Sequence, residues 1–125
     1  MNVSETLKTA LGGLVGNRVY PNTFPQAATP TWPAIRWTVV SREPDQTIDG
    51  TDEGESDDIR VQVDVVAATY VAAETLRDQA VAILIALTPP CVRVSEFETY
   101  DTETKTHRFV IDVQFHPSTS PGSPD

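Results

Sequence analysis

Apolar residues recur at helical spacing in two segments of the chain and alternate in four others. Residues 2–15 carry Val3, Leu7, Ala10, Leu11 and Leu14 on one side, the stripe of an amphipathic helix. Asn2 followed by Glu5 matches a capping box, and Gly12, Gly13 and Gly16 predict an end nearby. Residues 34–42 alternate as a strand, with Ile35, Trp37 and Val39 on one face and Arg36, Thr38 and Val40 on the other. Residues 58–67 repeat the pattern: Ile59, Val61, Val63 and Val65 against Arg60, Gln62 and Asp64. Such alternation predicts one packed face and one wet face. Residues 70–87 form a second helix with its stripe at Ala73, Leu76, Ala80, Ile83, Leu84 and Leu87. Thr69 is placed to cap its start, and Thr88-Pro89-Pro90 stops it. Residues 91–100 and 107–115 form a second hairpin across a turn at Thr102–Lys105, with Phe97 out of phase and therefore a bulge.

The order helix, strand, strand, helix, strand, strand predicts an α+β fold: one antiparallel sheet of two hairpins with both helices on one face. Val81, Ala82 and Ile85 fall off the second helix's stripe, so its last turns are apolar nearly all round. Deeper burial or a subunit contact through Val81 and Ile85 would each account for that. Residues 17–33, with Pro21, Pro25, Pro30 and Pro33, predict an extended connector held by Val19, Tyr20, Phe24 and Trp32. The length of 125 residues suits one domain, assigned to 1–116. Residues 117–125, rich in Pro, Ser and Gly, form a flexible tail.

Charge changes this picture between the first two strands. Residues 43–58 hold Glu43, Asp45, Asp49, Asp52, Glu53, Glu55, Asp57 and Asp58 and no basic residue. That stretch exceeds the 2–5 residues usual for a hairpin loop, so it predicts an excursion with a purpose beyond chain reversal. The net charge is −9 and the nine basic residues are scattered, which argues against a phosphate-gripping surface. No apolar run approaches the ~20 residues of a membrane helix, and the N-terminus lacks the pattern of a secretory signal. Cys91 is the single cysteine, which excludes an intrachain disulfide and fits synthesis in a cytoplasm.

The chemistry-bearing residues are sparse. His107 and His116 are the two histidines, Cys91 has no reactive signature and reads as a small apolar strand residue, and no nucleophile elbow or phosphate loop occurs. Asp45-Gln46-Thr47-Ile48-Asp49-Gly50 resembles the opening of a calcium loop, but Thr47 stands at the third position and Ser56 where the bidentate Glu belongs. Glu96 and Glu98 share a strand face that reads as solvated. The expectation is therefore no enzyme, no cofactor and no metal site.

Three groups of residues resemble one family. They are Arg18-Val19-Tyr20-Pro21 with Pro33-Ala34-Ile35-Arg36-Trp37; Arg60-Val61-Gln62-Val63-Asp64-Val65 leading through Ala67 to Thr69-Tyr70, Ala73 and Leu76; and Tyr100-Asp101, Glu103-Thr104, Arg108-Phe109 and Asp112. In this order, over about residues 3–115, they resemble the tail terminator, or tail completion, proteins of long-tailed bacteriophages. The resemblance implies an α+β subunit of a ring, usually a hexamer, that caps the tail tube and joins it to the head. Its implied partners are further copies of itself, the tail tube protein and the neck or connector proteins. Its implied place is the tail–neck junction of a virion, after synthesis in the host cytoplasm, with no membrane involved.

A ring through which genome DNA passes without specific binding suits an acidic chain, because carboxylates repel phosphates. Asp45, Asp49, Asp52, Glu53, Glu55, Asp57 and Asp58 are then candidates for lining the channel or meeting a neighbouring ring. Replacing these acids with Ser should lower infectious particle yield if the stretch has that role. Two alternatives are a neck or head-completion protein and a monomeric ligand- or metal-binding domain. Light scattering separates the last from a ring of about six copies, although such subunits can stay monomeric until they meet the tube.

Overall fold

Helix α1 (Val3–Leu11) begins where Asn2 accepts a hydrogen bond from the Glu5 amide at 3.0 Å, an interaction of about 1 kcal/mol. Val3, Leu7 and Leu11 are buried, so the stripe is the packed side. The helix tightens into a 3-10 turn, Gly12–Leu14, and ends at Gly16 and Asn17, both left-handed at φ 58° and 67°. Asn and Gly are the residues that adopt this region at least cost. The computed structural model describes residues 2–23, 31–43, 58–87 and 91–115.

Five strands follow: β1 (Val19–Pro21), β2 (Ala34–Glu43), β3 (Asp58–Ala67), β4 (Cys91–Asp101) and β5 (Thr106–Phe115), with helix α2 (Tyr70–Ile85) between β3 and β4. They form one sheet in the order β1-β2-β3-β5-β4. The expected all-antiparallel sheet is corrected here. The connector contributes β1, which runs parallel to β2 with Val19 opposite Ile35, so the sheet is mixed and the element order gains a strand. Arg18 fixes that edge: its Nε donates to the Pro33 carbonyl at 2.9 Å, and its own carbonyl accepts from the Ile35 amide at 2.9 Å. Pro21 ends β1 at the sheet edge, where its missing N–H costs nothing.

The two hairpins form as the alternation requires. β2 and β3 pair antiparallel down to Glu43 opposite Asp58, so residues 44–57 connect them. β5 pairs antiparallel with both β3 and β4, which leaves β4 on the outer edge. Thr69 caps α2 by accepting from the Ala72 amide at 3.1 Å. Both helices contribute to one core with the inward residues of the sheet: Leu7, Leu11, Ala73, Leu76, Ala80 and Leu84 meet Ile35, Ile59, Val61, Val63, Val65, Phe109, Ile111, Val113 and Phe115. A second small cluster, Ala34 and Val66 with Tyr20 and Trp32, is separate from it. No described helix is long and apolar enough to cross a membrane.

Candidate assembly surface

The face of the sheet away from the helices is held by charge. Arg36 on β2 donates to Asp64 on β3, with its Nε at 3.1 Å, and Gln62 adds a bond to the same carboxylate at 3.3 Å. Asp64 is only 2% exposed. A buried carboxylate needs such a partner because isolated burial of its charge is costly. Arg60 on β3 grips Asp112 on β5 through two nitrogens, at 3.0 and 2.8 Å, a fork that fixes the register of the two strands. At the hairpin turn Asp101 accepts from the Glu103 and Thr104 amides and from Arg108 at 2.9 Å. The turn amides first, and the arginine after them, hold its carboxyl below the usual carboxylate value.

β4 differs from the rest of the sheet. A register shift between Arg93 and Ser95 places a bulge at Val94, the irregularity that Phe97's phase predicts. Beyond it Phe97 stands opposite Val110 on the helix-free face and is 57% exposed. Val92, opposite Gln114 on that same face, is 58% exposed, and Val94 is exposed as well. These apolar side chains lie along the strand that forms the sheet's outer edge. An exposed edge carrying apolar residues is a template for another chain.

The bulge turns Glu96 and Glu98 toward the helix side, where Glu98 stays exposed as expected and Glu96 is half-buried in an ion pair. Both stand opposite core residues of β5, Ile111 and Phe109, and so face α2. Glu96 accepts from Arg77 at 2.5 and 2.7 Å and from Arg93 at 3.4 Å, which pushes the Arg77 guanidinium's pKa up. Glu98 accepts from the Tyr70 hydroxyl at 3.1 Å. Tyr70, His107 and Tyr100, from α2, β5 and β4, meet at this end of the sheet. The Tyr100 and His107 rings lie 4.8 Å apart, and Tyr70 meets His107 edge-on at 5.7 Å.

Of the sequence-derived candidates, Asp45, Asp49, Asp52, Glu53, Glu55 and Asp57 lie outside the described residues, as do Phe24, the stop at Thr88-Pro89-Pro90 and the tail from His116 on. Asp58 opens β3 at the foot of the acidic stretch. Val81 is buried in the core and Ile85 is 56% exposed, so of the two only Ile85 offers its side chain to a partner. Cys91 is buried, donates to the Leu84 carbonyl at 3.1 Å, and has its thiol pKa pushed up by burial. Among the described residues no three His, Cys, Asp or Glu side chains come together as metal ligands. The sequence pattern marks Phe97 as a bulge and Glu98 as a strand-face carboxylate but gives neither them nor Val92, Tyr70 and Tyr100 a role in a site. Tyr100 and His107 could have been paired by counting back from the turn, whereas Tyr70 joins them only through the packing of α2.

Among curated protein sequences none matches the chain. Among solved structures, a chain of "Virion of native gene transfer agent (GTA) particle" is 14% identical and superposes with a TM-score of 0.57, covering 92% of this chain and 96% of that one. That likeness shows the fold is shared. The family model for tail completion protein gp17 matches residues 3–116, nearly the whole chain. With the mixed sheet, the two helices and the sequence elements all inside that match, the chain belongs to the tail completion protein gp17 family, a family of phage tail structural proteins.

Proposed function

We propose that the chain is a subunit of a ring that caps the phage tail tube and connects it to the head, acting structurally rather than as an enzyme. The observation that carries this reading is β4. In a chain of the tail completion family, an eleven-residue edge strand presents Val92, Val94 and Phe97 to solvent. A ring needs each subunit to offer a surface to its neighbour that is not matched within the subunit itself, and β4 is such a surface. The other edge, β1, has only three residues and ends in Pro21, so the two edges differ as the two sides of a head-to-tail contact would. Six copies is the stoichiometry that the family resemblance implies. The resemblance also gives the partners: the tail tube below and the neck or connector proteins above, at the tail–neck junction of the virion.

The acidic stretch suits passage of DNA without binding it. Its foot, Glu43 and Asp58, lies at the end of the sheet shared with Phe115, Cys91 and Val92. Carboxylates facing a channel would repel phosphate over roughly a Debye length of ~8 Å at physiological salt. The reading is tested by mixing the protein with tails that lack their completion protein and viewing them by electron microscopy. A ring at one end of each tail supports it, and bare tails with the protein left in solution contradict it.

A further inference from the structure

A cavity of about 240 Å³ opens beside the start of α2, between the ends of β4 and β5. Tyr70, Glu98, Tyr100, His107 and Phe109 line it. Tyr70 and Tyr100 are 42% and 49% exposed, so part of each ring faces the opening. Their inner sides are held in place: Tyr100 by His107 at 4.8 Å, and Tyr70 by His107 at 5.7 Å and Phe109 at 5.6 Å. Glu98 is fixed from one side by the Tyr70 hydroxyl, which donates to its Oε1.

The carboxylate of this cluster differs from its neighbours in the sheet. Glu96, two residues earlier on the same face, is neutralised by Arg77 and Arg93. Asp64, Asp112 and Asp101 each pair with an arginine. Among the described residues Glu98 has a phenol and no basic partner. The Tyr70 hydroxyl pKa is raised by its bond to Glu98, by burial, and by the charges of Glu98 and Glu74. Arg108 also touches the cavity, but its charge is offset by Asp101 at 2.9 Å.

Fixed aromatic rings beside a carboxylate that lacks a counter-ion form a receptor for an organic cation. The ring faces attract positive charge, and the carboxylate accepts a charge-assisted hydrogen bond. We infer that this cavity takes the guanidinium of an arginine side chain projected by the protein that docks on this end of the sheet. A planar guanidinium can lie along a tyrosine ring while its edge donates to Glu98. The source of the arginine rests on the assembly reading, whereas the chemistry of the site does not.

The test uses the full chain and a small probe, N-acetyl-arginine amide, followed by NMR of the aromatic side chains. The ring signals of Tyr70, Tyr100 and His107 should move together and saturate in the millimolar range. N-acetyl-norleucine amide, of similar bulk but uncharged, should leave them in place. Glu98→Gln keeps the shape and removes the charge, and should weaken binding about tenfold. Tyr100→Leu keeps an apolar wall without the ring face, and should weaken it by about threefold. No movement with the arginine probe, equal movement with norleucine, or undiminished affinity in Glu98→Gln would each overturn the site. All of these readouts are made on the unassembled subunit. A failed ring experiment with a positive titration therefore rejects the assembly reading alone, and the reverse rejects the site alone.

Discussion

β3 and β4 are of nearly equal length in the same sheet, yet they are built to opposite rules. In β3, Ile59, Val61, Val63, Val65 and Val66 are fully buried, and each charged residue between them has a partner within the subunit or stands at the strand's end. In β4, Cys91 alone is buried, and Val92, Val94, Phe97 and Tyr100 stay exposed. β3 lies between two strands and beneath helices, so the fold itself accounts for its sequence. The apolar residues of β4 do little for the core of a single subunit. That difference teaches where to look for function in a structural protein: among apolar side chains that folding leaves unused.

Substitutions on the two strands should therefore separate stability from assembly. The largest stability effect is expected in β3. Ile59→Ala should cost about 2–5 kcal/mol, because a fully buried side chain leaves a cavity; denaturant unfolding measures it. Arg36→Met removes the partner of a carboxylate that stays buried. It should cost roughly 2–4 kcal/mol, below the usual range for a fully buried pair because Arg36 keeps a quarter of its side-chain exposure. A small effect in either variant would break the claim that β3 is specified by packing within the subunit. Phe97→Ser should cost about 1 kcal/mol or less, the scale of its cross-strand contact with Val110, by the same unfolding measurement.

The smallest effect is electrostatic and sits at the β4–β5 turn. The Asp101 carboxyl is held below its ordinary 3.8 by the turn amides and Arg108. A depressed folded-state value means the stabilisation is present above the unfolded value and disappears as pH falls through the folded one. Asp101→Asn should thus be slightly less stable than the parent near neutral pH, and the two should converge as pH falls through the lowered folded-state value. A difference that persists in acid would locate the effect in side-chain shape rather than charge.

Much of the fold was legible because local signals agreed with one another. Asn2 and Thr69 cap the helices, and alternation over 34–42, 58–67 and 107–115 found the buried faces of β2, β3 and β5. β1 was hidden because Val19, Tyr20 and Pro21 carry no period of their own; pairing with β2 makes them a strand. The Glu96 ion pair with Arg77 was hidden because a bulge at Val94 changes which side each later residue takes, and its position depends on pairing with β5; Glu98 is exposed as its setting suggested. The aromatic cluster was partly within reach, since a turn at residues 102–105 sets Tyr100 opposite His107. Tyr70 arrives from a helix, and no local pattern announces that meeting.

The most direct test of the central claim, that β4 is the assembly surface, compares the parent with the double variant Val92→Thr, Phe97→Ser on purified tails that lack their completion protein. Co-sedimentation counts bound copies, and unfolding curves confirm that both proteins are folded. The account predicts near-parental stability with capping of the tails lost or reduced by more than about tenfold, the change expected when ~1.4 kcal/mol or more of contact is removed. A folded double variant that caps tails as well as the parent would contradict it.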